Sequence, residues 1–125
     1  MGGSEPTRIL VIDDHELSIK LLERLLSSAG YQVLAARSLA EAERAIEEIN
    51  PALIVLDRRL PDGDGLQLAR ELKARPQSPP VLACTAGEPS RAGDLELHES
   101  CDAYVAKPIE VDRFVEVVDS LLSRS

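Results

Sequence analysis

At 125 residues, 44% hydrophobic but only 2% aromatic, the chain is long enough to bury one aliphatic core without disulfides or a structural metal. Its formal net charge of −8 argues against nonspecific nucleic-acid binding and against attraction to an anionic membrane, and points to cations and proteins as partners. No apolar run has the length of a transmembrane helix, and the start "MGGSEPTR" lacks the apolar segment of a signal peptide.

Residues 1–7 are expected to be a loose leader or an expression scar, ahead of one domain at residues 8–124. "RILVID" at 8–13 is a short branched-aliphatic run, as in a strand buried on both faces. Leu21, Leu22, Leu25, Leu26 and Ala29 then recur at helical spacing, with Gly30 where a C-cap glycine belongs. "YQVLAA" is a second strand. Ser38 and Glu41 form a capping-box pattern that opens a helix with Ala42, Ala45, Ile46 and Ile49 on one face, stopped by Asn50-Pro51. "ALIVLD" is strand three, and Leu66, Leu68, Ala69 and Leu72 mark helix three, closed before Pro76. "PVLACT" is strand four. Residues 87–100 hold two glycines and a proline with only Leu95 and Leu97 as large apolar residues, so helix four is expected to be short or mobile. "DAYVAK" is strand five, and Val111, Phe114, Val115, Val118, Leu121 and Leu122 line an amphipathic fifth helix.

Five strand–helix alternations with short connections imply a parallel sheet with helices on both faces. Ligands of such sheets bind outside the carboxyl ends of the strands, at the switch point of strand order. The strand ends here are Asp13-Asp14, Asp57, Thr85 and Lys107-Pro108. Three carboxylates at one edge repel each other unless a cation neutralises them. Oxygen donors with room for water suit Mg²⁺. With a lysine and a hydroxyl beside it, such a site fits phosphoryl transfer, in which a carboxylate can be the nucleophile.

The motifs "VIDD", "LIVLDRRLPDGDG", "CTAG" and "AYVAKP", in that order and each at a strand end, resemble the receiver domain of bacterial two-component response regulators. The likeness spans residues 8–122 and implies a CheY-like, flavodoxin-like (βα)5 sandwich with a five-stranded parallel sheet of order 2-1-3-4-5. It implies that Asp57 is the phosphoacceptor, fed by a sensor histidine kinase or a histidine phosphotransfer protein. Mg²⁺ would be held by Asp14, by Asp13 largely through water, by Asp57, and by the backbone carbonyl of Arg59. Thr85 would bond a phosphoryl oxygen and Lys107 would pair with the phosphoryl group. The Lys107-Pro108 bond would be cis. Tyr104 matches the switch aromatic that turns inward as Thr85 moves. Its rearrangement would remodel the surface of helix four, strand five and helix five, where a downstream protein or a second copy of the chain would dock.

Other readings weigh against single residues. Asp62 and Asp64 read as a solvated turn, because Leu66 stands where a calcium loop needs a third ligand. His15 reads as a solvated first-turn residue. Cys84 reads as a small core residue; Cys84 and Cys101 share no metal-ligand spacing with His15 and His98 and read as reduced thiols of a cytoplasmic protein. The same resemblance implies that Arg59 and Gly87 would flank the path of the water that hydrolyses an acyl phosphate, and slow autodephosphorylation is expected. Two rivals remain. A haloacid-dehalogenase-type phosphohydrolase would want an acid two residues after the nucleophile, where Arg59 stands. A receiver-like binding module would act without phosphorylation. The chain is either a stand-alone receiver or one excised from a hybrid kinase or larger regulator.

Overall fold

A computed structural model describes residues 6–86 and 100–123. Five parallel strands form the central sheet: β1 (Arg8–Ile12), β2 (Gln32–Ala36), β3 (Leu53–Asp57), β6 (Val81–Ala86) and β7 (Ala103–Lys107). Their order is β2-β1-β3-β6-β7, as the resemblance implies. Between β3 and the third helix a two-stranded ribbon, β4 (Arg59–Leu60) and β5 (Gly63–Asp64), pairs antiparallel. Among the described residues the helices of more than one turn are α1 (Glu16–Ser28), α2 (Leu39–Ile49), α3 (Gly65–Lys73) and α4 (Val111–Leu122). The segment expected to form a weak helix before β7, with Gly87 and His98, lies outside the described residues but for Ser100. So do residues 1–5 of the expected leader.

Alternation along each strand divides the core in two. Leu10, Ile12, Ile54, Leu56 and Ala83 face α2 and α3, where they pack with Ala42, Ile46, Leu66, Ala69 and Leu72. Ile9, Val11, Leu53, Val55, Leu82 and Cys84 face α1 and α4 and pack with Ile19, Leu22, Leu26, Phe114 and Val118. Both sides of the strands are therefore apolar, which is why each reads in sequence as a continuous aliphatic run. Phe114, the only phenylalanine of the chain, is fully buried.

Two helical faces differ from the expected ones. In α1 the buried positions are Ile19, Leu22 and Leu26, while Leu21 is 42% exposed and Ala29 is an exposed C-cap. In α4, Val111 is 46% exposed. Both exceptions sit at the margin of an apolar stripe, where a turn of about 100° per residue carries a side chain past the sheet contact. Ser38 caps α2, its Oγ accepting from the Glu41 N–H at 3.1 Å, while Glu41 Oε1 reaches past the cap to the Arg37 N–H at 3.1 Å. Asn50, in the left-handed conformation at φ 49°, ends that helix.

Candidate functional site at the carboxyl edge of the sheet

The crevice at the switch point lies where β1, flanked by β2 and β3, ends. Asp13 follows β1, its backbone N–H bound to the Ala36 carbonyl at 3.0 Å. Its residue surface is 2% exposed, and Oδ1 accepts from the His15 N–H at 2.9 Å, which fixes the turn into α1. Asp57 closes β3 and is half-buried; Lys107 closes β7. Lys107 Nζ stands 3.6 Å from Asp13 Oδ2 and 3.7 Å from Asp57 Oδ2, so one ammonium serves two carboxylates. Asp14 is exposed beside them. Thr85 lies in β6, level with Ala106 of β7. Tyr104, level with Ala83, is partly buried and packs against the α2/α3 side of the core. The Lys107-Pro108 peptide is cis.

Burial raises the Asp57 carboxyl above its ordinary value. The Lys107 ammonium draws it down, the Asp13 carboxylate pushes it up, the Arg59 backbone N–H that it accepts draws it down, and Asp14 pushes it up. The net shift is upward: one ammonium does not offset burial and two neighbouring acids. Donor atoms of Asp13, Asp14 and His15 lie within 4.8 Å of one another. His15, with a side chain 78% exposed and Nδ1 3.8 Å from Asp14, sits on the rim. The crowded donors are hard carboxylate oxygens with uncompensated charge, and these residues fit a hard divalent cation such as Mg²⁺.

The segment after Asp57 is held at both ends. Asp64 caps α3, its Oδ1 accepting from the Leu66 N–H at 3.0 Å, and lies 3.7 Å from Arg58 Nε. Asp62 takes both first amides of α2: Leu39 N–H donates to Oδ1 at 2.8 Å and Ala40 N–H to Oδ2 at 3.1 Å. These bonds hold its carboxyl below the usual range. The solvated-turn reading of the two acids is thus corrected: both are exposed, but each caps a helix. A D-G pair at a helix start is a visible cap signal for Asp64. Asp62 caps a helix that began earlier in the chain, and no local pattern shows that. Sequence reasoning also missed Gly65, whose N–H donates to the Arg58 carbonyl at 2.6 Å and whose missing Cβ lets α3 approach Asp57. Arg37, at the end of β2, makes a two-pronged pair with Glu16 at 3.0 and 2.9 Å, joining α1 to the start of α2.

Known proteins resemble this chain in sequence and fold. A response regulator DivK of Brucella anthropi is 36% identical over 121 residues, spanning 94% of this chain and 97% of its own. The signal receiver domain of a signal transduction histidine kinase from Syntrophus aciditrophicus superposes with a TM-score of 0.85 at 30% identity, covering 95% of this chain and 94% of that one. A two-component response regulator from Clostridium difficile gives 0.85 at 27% identity, covering 94% and 97%. Residues 9–119 match the family described as the response regulator receiver domain, and the chain belongs to that family of signalling domains.

Proposed function

We propose that the chain is a phosphoacceptor switch in which Asp57 takes a phosphoryl group from the phosphohistidine of a sensor histidine kinase or phosphotransfer protein, in a Mg²⁺-dependent reaction. The observation that carries this reading is the position of Lys107, within 4 Å of both Asp13 and Asp57. An Asp57 oxygen attacks phosphorus, the phosphorus–nitrogen bond of the donor breaks, and the donor imidazole leaves with a proton. Asp57 must be ionised to attack, and Lys107 with the Arg59 N–H opposes the burial that would keep it protonated. Asp14, Asp13 largely through water, Asp57 and the Arg59 carbonyl would hold Mg²⁺, which would supply charge neutralisation at the phosphoryl group.

After transfer, Lys107 pairs with the phosphoryl group and the Thr85 hydroxyl donates to one of its oxygens. Thr85 and Tyr104 then rearrange together and alter the face around β7 and α4, where a downstream protein or a second copy docks. Arg59, exposed on the ribbon, shields the acyl phosphate, and Gly87 has no side chain to orient water, so autodephosphorylation is slow. The reaction is the domain's own modification rather than turnover of a substrate. Among the described residues no helix is long and apolar enough to cross a membrane, consistent with work in the cytoplasm. The likeness to a receiver domain of a histidine kinase keeps a hybrid kinase as a second possible parent of the chain.

The test is the intact mass after incubation with a small phosphodonor, with and without Mg²⁺, for the native chain and Asp57→Asn. A Mg²⁺-dependent gain of one phosphoryl group, absent from the variant, is expected. No gain from either a small donor or a phosphorylated histidine protein would overturn the proposal in favour of a phosphorylation-independent binding module. Continuous release of phosphate from esters would favour a hydrolase.

A further inference from the structure

Resting on that reading, we infer that Asp62 is a positioning residue for the phosphoacceptor site, acting by tying the β4–β5 ribbon to the amino terminus of α2. The ribbon is the segment that touches Asp57: the Arg59 N–H, on β4, donates to the Asp57 carboxylate. It follows β3 directly, so its own pairing is only two residues on each side. A ribbon that short does not hold itself. Asp64 ties one end of it to α3, and α2 fixes the turn. Both oxygens of Asp62 accept amides from that helix, at 2.8 and 3.1 Å.

A second contact has the same partner. Gly63 lies at φ +154°, and a Cβ there would come within 2.7 Å of Leu39 Cδ1, so the ribbon backbone lies flush on the first residue of α2. Leu60 completes the seat from below, buried in the cluster against which Leu39 packs. The helix itself is independently capped by Ser38, whose Oγ takes the next amide, that of Glu41. Asp62 is therefore not needed to cap all of α2; its particular effect is to couple the helix to the ribbon. The ribbon carries the backbone N–H and C=O of Arg59, one on Asp57 and one proposed for Mg²⁺. A ribbon freed at Asp62 leaves both groups badly aimed, while Asp13, Asp14 and Lys107, on other strands, stay in place.

The experiment compares native protein with Asp62→Ala, Asp62→Asn and Ser38→Ala. Mg²⁺ titrations are followed by amide NMR, and phosphorylation rates are measured with a small phosphodonor below every melting temperature. Asp62→Ala is expected to weaken Mg²⁺ about tenfold, as loss of a residue supporting a metal ligand does, and to slow phosphoryl uptake. Asp62→Asn, which keeps one acceptor oxygen, is expected to fall between it and native. Ser38→Ala weakens α2 without touching the ribbon and is expected to lower the melting temperature but leave Mg²⁺ affinity unchanged. Native affinity in Asp62→Ala, or equal losses in Asp62→Ala and Ser38→Ala, would overturn the inference alone. Native protein that binds no Mg²⁺ would overturn the functional reading and this inference with it.

Discussion

Gly65 lies directly against Asp57: a Cβ on it would stand 2.4 Å from the Asp57 backbone oxygen, with Leu56 Cδ1 at 3.0 Å. The first residue of α3 is thereby set by the strand that carries the proposed acceptor. The nearer contact is backbone, so Gly65→Ala must move backbone. It is expected to cost about 1–3 kcal/mol, in the range of overpacked cores, and to displace the Asp57 carboxylate. Urea unfolding of the variant measures the first effect; a native midpoint would show that α3 can shift freely.

Ionised Asp57 opposes folding. Its carboxyl is raised in the native state, chiefly by burial, so between the unfolded and native values the folded chain binds the extra proton. Stability therefore falls as pH rises through that window, and the loss is complete above the native value. Asp57→Asn is expected to melt above native protein at pH 7 in metal-free buffer. Added Mg²⁺ should narrow that gap by binding the native site. Thermal scans with and without chelator decide it, and a variant less stable than native in chelator would reverse the sign.

Tyr31, between α1 and β2, reaches Asp119 on α4 far from the proposed chemistry, the phenol donating to Asp119 Oδ1 at 2.5 Å. That hydrogen bond, then burial and the Asp119 charge, push the phenol to about 12. Because the folded value lies above the unfolded one near 10, the contribution is full below about pH 10 and is lost as pH rises through about 12. Tyr31→Phe is expected to lose about 0.5–1 kcal/mol at neutral pH, the low end for an exposed hydrogen bond. Ultraviolet titration should return Tyr31 toward its ordinary value in Asp119→Ala.

Both thiols are protected. Burial pushes Cys84 to about 12 and Cys101 to about 11, so neither carries much thiolate at pH 8. They pack on opposite faces of the sheet. Intact mass after alkylation is expected to show no label on the native protein and two labels in denaturant. One fast label on native protein would mark an accessible thiol.

β1, β3 and β6 were legible because each is an unbroken apolar run that closes at or just before a polar residue. Asp13, Asp57 and Lys107, whose ammonium the structure sets within 4 Å of both carboxylates, could thus be placed at one edge from sequence once the layers were known. The Ser38–Glu41 cap was legible because its partners lie three residues apart. The β4–β5 ribbon was not, since strands of two residues have no period to detect. Asp62 reaches α2 across the fold, and Glu16 reaches Arg37 from another helix. Such long-range pairs leave no trace in spacing. Leu21 was misplaced for a subtler reason: Ile19 competes for the same stripe, and the core takes Ile19.

The strand order also dictates a sequence of events as the chain leaves the ribosome. Asp13 and Asp14 emerge first, and β1 gains its second neighbour only with β3, which delivers Asp57 to the same edge. Lys107 arrives with β7, the last strand made. A nascent chain holding only the first three strands would gather the three acids with no ammonium among them. Mutual repulsion would weaken that edge until the final strand docks or a cation binds, which ties the domain's completion to its charge balance.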